Sequence, residues 1–160
     1  IVELELFIAL KKEIETKLPE IKTVKLYNNQ FESESVENAF LYPAVMIQFQ
    51  SNGFKELSQG VQQFDMTVTT HLGFESYKSE DTEVLRLKQD LYKVVNRFRN
   101  EYFSRLLRVE ERPNYNHNNI HVYETDYKTT GKDFTTDIRP NKDVTAIPVV
   151  TPTITTLADL

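Results

Sequence analysis

Residues 63–72 alternate almost without a break: Phe64, Met66, Val68 and Leu72 share one side, and Gln63, Asp65, Thr67, Thr69 and His71 the other. Successive side chains leave opposite faces of a pleated chain, so this period of two predicts a strand with one buried and one wetter face. Gly73 is read as its end. Pro43 opens a second strand over residues 44–50, where Val45, Ile47 and Phe49 alternate with Met46, Gln48 and Gln50. Between the two strands, Ser51-Asn52-Gly53 and Ser58-Gln59-Gly60 predict a connection.

Helical spacing appears twice. Residues 3–18 place Leu6 or Phe7, Leu10, Ile14 and Leu18 on one face, with Glu3 and Glu5 at the start, lysines towards the end and Pro19 as the stop. After Ser79, read as an N-cap, Val84, Leu87, Leu91, Val94, Val95, Phe98 and Tyr102 mark a second amphipathic helix. A short strand around Val24 and Leu26 follows the first helix. Residues 106–112 and 120–129 predict a late hairpin, and residues 30–38 have no period and read as a loop. The order of helix, three strands, helix and two strands predicts an α+β fold: a mostly antiparallel sheet with two helices packed on one face.

The character changes at residue 135. A domain over residues 1–134 gives way to a segment, 135–160, in which Pro140, Pro148 and Pro152 interrupt Val144, Ile147, Val149, Val150, Ile154 and Leu157. Such a stretch cannot be helical and is too apolar for an ordinary solvated tail, so it reads as an extended arm. Its apolar residues are candidate oligomer contacts. The strand over residues 120–129 of a neighbour, taken as an edge, is the expected acceptor. Tyr123 and Tyr127 on that hairpin have no Lys or Arg cluster beside them and are also assigned to a protein interface.

Charge and composition narrow the chemistry. Nineteen Lys and Arg against 24 Asp and Glu leave −5, which speaks against a basic nucleic-acid footprint. With no Cys, thiolate metal sites, disulfides and cysteine nucleophiles are excluded. No apolar run is long enough to span a bilayer, and the first residues do not read as a signal peptide. Glu32, Glu34 and Glu37 form an acidic stretch that reads either as a solvated loop or as a surface facing DNA that must not stick. His117 and His121 could share a metal with His71 or Asp126 but have no carboxylate at a diagnostic spacing, so no cofactor or metal is expected. A magnesium nuclease of restriction-endonuclease-like topology is the enzymatic alternative. Its nearest residues are Asp65 and Glu75-Ser76-Tyr77-Lys78, with one residue too many between Glu and Lys.

The first helix ending near Pro19, the strand at Val24, the Tyr42-Pro43-Ala44-Val45-Met46-Ile47 opening of the second strand, the strand from Phe64 to Leu72 and the helix from Asp81 to Phe98 come in a familiar order. Over residues 1–129 the chain resembles the small tail-terminator and tail-completion proteins of long-tailed bacteriophages, the lambda-type minor tail proteins. The resemblance implies a non-enzymatic virion protein, assembled in the bacterial cytoplasm. It implies a six-fold homo-oligomeric ring that caps the tail tube, stops its polymerisation and joins it to the head connector, while DNA passes without specific binding. A neighbouring connector ring, or a generic oligomeric adaptor, are the non-enzymatic alternatives. The long connections at residues 30–38 and 51–60 are the expected ring contacts, and the three glutamates the expected channel lining.

Overall fold

The computed structural model describes residues 2–32, 39–75, 80–101, 103–115 and 120–138. Its elements run α1 (Val2–Lys17), β1 (Thr23–Leu26), β2 (Ala44–Ser58), β3 (Val61–Glu75), α2 (Asp81–Val95), β4 (Leu107–Asn114) and β5 (Ile120–Asp133). The five strands form one sheet in the order β1-β2-β3-β5-β4, and only β1 and β2 pair in parallel. The α+β class expected from periodicity is therefore the observed one. The β3-α2-β4 connection crosses over the sheet, and β5 returns to fill the space between β3 and β4.

Both helices lie on one face. Val2, Leu6, Leu10 and Ile14 form a single stripe along α1, four residues apart, and Val84, Leu87, Leu91 and Val95, three or four apart, form one on α2. They bury Val45 and Ile47 of β2, Met66, Val68 and Leu72 of β3 and Tyr127 of β5. The β3 register explains why these meet: Val45 pairs with Leu72, and Leu72 in turn with Tyr123, so one parity on each strand shares the helix side.

Three expectations change. β2 does not stop at residue 50 but runs to Ser58, and residues 51–60 are the outer half of a long hairpin closed by the two-residue turn Gln59-Gly60. Both turn residues have positive φ, 50° and 85°, the geometry whose twist matches that of the flanking strands. Gly53 (φ 64°) sits where the ladder shifts register, so the Ser-Asn-Gly signal marks a bulge inside a strand and not a loop. Gly73 does not end β3, which continues to Glu75.

The second helix starts from Glu80 as N-cap and stops at Val95, well short of Tyr102. Arg97 takes φ 67°, and the chain turns back so that Arg97 donates its N–H to the Leu106 carbonyl while Leu106 donates to that of Phe98. Phe98 is thus removed from the helical stripe and packs on Phe103, ring centroids 6.2 Å apart.

Candidate functional site

The face of the sheet opposite the helices is built from the other parity: Met46 and Gln48 on β2, Thr69, His71 and Gly73 on β3, Val122, Glu124 and Asp126 on β5, Arg112 and Asn114 on β4. Half of it is covered. The turn after β1 is tied by Gln30, whose amide Nε2 donates to the Leu26 carbonyl at 2.6 Å and whose Oε1 accepts from the Asn28 N–H at 2.5 Å. Phe31 then lies over Gly73 in a small second core with Ala44, Met46 and Val122, flanked by Phe40 and Tyr42. Part of the expected solvated loop is therefore packed onto the sheet. A glycine is required beneath it, since a Cβ at residue 73 would stand 2.4 Å from the Phe31 ring.

Next to this cover lies a polar network that joins four strands. His71, 4% exposed, is stacked on Tyr27 with centroids 3.9 Å apart and planes within 2°. Its Nε2 is 2.9 Å from the Gln48 side-chain oxygen and its Nδ1 3.2 Å from Glu124 Oε1. Arg112 donates from Nε to Glu124 Oε2 at 2.9 Å and from Nη1 to Asp126 Oδ2 at 2.7 Å. Thr69 donates to Asp126 at 2.6 Å and Asn114 to Glu124 at 3.1 Å. Among the described residues no buried side-chain nitrogen or oxygen lacks a partner. A network that ties side chains of four strands to one another holds strand register.

Burial pushes His71 below the ordinary imidazole value, the Glu124 carboxylate opposes this and the Arg112 charge reinforces it. Burial would raise Asp126, but the hydrogen bonds from Arg112 and Thr69 outweigh it and hold the carboxyl below its usual value. The signs are the same for stability. Unfolded chains protonate histidine near pH ~6.5, before the native state does, so stability falls as pH drops below that point. Asp126 contributes stability above its unfolded value of about 3.9, which is lost as pH falls through its lower native one. Melting temperature is therefore expected to decline in two stages on acidification. His71→Gln should flatten the stage that begins near pH ~6.5, and an unchanged slope there would refute the assignment.

The sequence-predicted residues separate. Tyr127 is not an interface residue: it is 1% exposed beneath the helices, and burial raises its hydroxyl pKa. Tyr123 is half-buried against the same core, with Phe74 edge-on and the Lys88 ammonium 4.9 Å from its ring centre. β5 is not an edge, because β3 and β4 pair with it on either side. Glu32 is exposed, whereas Glu34 and Glu37 lie outside the described residues, as do Val144, Ile147, Val149, Val150, Ile154 and Leu157. His71 and Asp126 share the network, His121 is exposed at the start of β5 and His117 lies outside the described residues. No cluster of three or more His, Asp or Glu is arranged to hold a metal ion among the described residues. Asp65 and Glu75 stand ten positions apart on β3, roughly 33 Å, and residues 76–78 are outside the described set.

The exposed large apolar side chains include Leu4 and Ile8 of α1, Leu26 of β1, Phe54 and Leu57 of β2, Leu85 of α2, and Leu107 and Val109 of β4, so each of the two edge strands, β1 and β4, exposes apolar groups. Hydrophobic spacing could have flagged Leu4 and Ile8, which fall outside the buried stripe of α1. No family model matches this sequence, and no curated protein matches it.

Proposed function

We propose that this protein is a structural, non-enzymatic virion component: a tail-terminator or tail-completion protein that forms a six-fold ring, caps the tail tube and joins it to the head connector in the neck of a long-tailed phage. The observation that carries the reading is that the two edge strands are different and both expose apolar side chains, Leu26 on β1 and Leu107 and Val109 on β4. Two unlike edges suit a head-to-tail contact, in which one edge of each copy meets the other edge of the next. Repetition of that contact closes a ring when the rotation per subunit divides a full turn. A two-fold dimer would instead need one self-complementary patch.

The acidic balance of the chain supports a conduit for DNA, since like charges keep the polyanion hydrated and mobile. In this reading exposed Glu32, together with Glu34 and Glu37, faces the lumen. Native mass spectrometry and negative-stain imaging of the purified protein should give six-membered rings, and added protein should halt elongation of tail-tube subunits. A strict monomer at high concentration that leaves tube growth unaffected would overturn the proposal, and rings with Glu32 on the outer rim would overturn the lumen assignment.

A further inference from the structure

The sheet has two edges with different chemistry. β4 carries Glu110, Glu111, Arg112 and Pro113 along its length, with a bulge at Val109, which are the features that deter another strand from pairing. The opposite edge has no such protection at its centre. β1 pairs only with residues 44–47 of β2, and the Tyr27 N–H closes that ladder on the Ile47 carbonyl. Beyond it, residues 48–52 read Gln-Phe-Gln-Ser-Asn, without proline or charge, and no backbone group among the described residues pairs with their outer side.

The far end of the same hairpin is where the chain departs. After β5, Thr136 donates its hydroxyl to the Gly60 carbonyl at 2.8 Å and Ile138 its N–H to the Gln59 carbonyl at 3.0 Å, so residues 136–138 cross the hairpin turn. The Ile138 side chain stays 78% exposed there. A further 22 residues follow (160 − 138), long enough to run the length of β2.

Their prolines share a parity. Pro140, Pro148 and Pro152 all occupy even positions. In a strand the N–H and C=O of one residue point to the same lateral side, and those of the next to the other. All three missing donors therefore fall on one side, leaving Thr145, Ile147, Val149 and Thr151 with complete backbone groups on the other. Such a sequence can pair on one side only, as an edge strand.

We propose that residues 145–151 of one copy add, through their odd-numbered backbone groups, as an extra strand on the outer edge of β2 in an adjacent copy, alongside residues 48–52. The proposal rests on the ring reading and gives the ring a strand-exchanged tie between subunits.

The cysteine-free chain allows a direct test. Gln50→Cys protein is mixed with full-length variants carrying single cysteines at residues 145–151 and oxidised, with Lys12→Cys on α1 as the control. The expected result is interchain dimers at one or two arm positions, at least tenfold above the control, and a ladder of higher oligomers when both cysteines are in one chain. Only intrachain disulfides would place the arm on its own subunit and overturn the proposal. No cross-link in a protein that still forms rings by native mass would overturn the arm placement alone; monomers would overturn the ring reading as well. Parity supplies a second readout: Val149→Pro should reduce the ring fraction at least tenfold and Val150→Pro less than twofold, and equal effects would exclude the one-sided ladder.

Discussion

Gly73→Ala is expected to destabilise the protein by about 2 kcal/mol, although the same exchange in an unobstructed strand is mildly stabilising. The new methyl carbon would stand 2.4 Å from Phe31 Cε1 and 2.6 Å from Cζ, so the ring has to leave its place over the sheet. Phe31 is 6% exposed and packs with Ala44, Met46 and Val122, so its displacement opens the smaller of the two cores. Phe31→Ala alone should cost about 3 kcal/mol. In the Phe31→Ala background the glycine substitution should cost almost nothing, giving a coupling energy of about 2 kcal/mol in a double-mutant cycle. Urea unfolding of the four proteins measures it. Additive losses would show that something other than the ring rejects a side chain at residue 73.

The second large effect is expected at Arg112. Its side chain is 40% exposed, but the Glu124 and Asp126 side chains that its guanidinium bridges are 13% and 16% exposed. Removal of the cation leaves two carboxylates side by side in a partly dry surface, beside a histidine that burial keeps from its charged form. The cost lies between the ~1 kcal/mol of an exposed pair and the ~3–5 kcal/mol of a broken buried one, so Arg112→Met should lose about 2 kcal/mol at neutral pH. Arg112→Lys should recover only part of it, because a single ammonium cannot donate along both directions that Nε and Nη1 serve. The sign of the pH dependence separates electrostatics from packing. Arg112 helps to hold the Asp126 carboxyl below its usual value, so its contribution fades as acid protonates that group and the gap from wild type should narrow as pH falls; a constant difference would point to lost packing by the arginine stem.

Much of the helix-facing layer was legible because it is written in local periods. The alternation at Phe64, Met66, Val68 and Leu72 assigned β3 its faces, and the four-residue spacing of Leu6, Leu10 and Ile14 assigned α1 its buried stripe, both as found. The polar side of β3 was identified correctly by parity but not by environment. His71 and Thr69 are on that side and yet are 4% and 8% exposed: Tyr27, from beyond the end of β1, stacks on His71, and Thr69 bonds to Asp126 of the neighbouring strand. Arg112 gave no signal either, because its partners Glu124 and Asp126 come from another strand.

What the sequence by itself determined was the class of fold, the inward residues of α1, β2 and β3, and the absence of any cysteine chemistry; each follows from composition or from repeats of two to four residues. Only the tertiary structure decided that the glycine at residue 73 is a seat for an aromatic ring, that the Ser-Asn-Gly signal is a bulge within a strand, that Tyr127 is core and that β5 is a central strand. Parity along a strand tells which way a side chain points. It does not tell which strand lies beside it, and the sheet order depends on pairing between residues up to 71 positions apart, as between Gln62 and Asp133. Edges, covers and cross-strand ion pairs are properties of that order, so they appear only when the chain has closed upon itself.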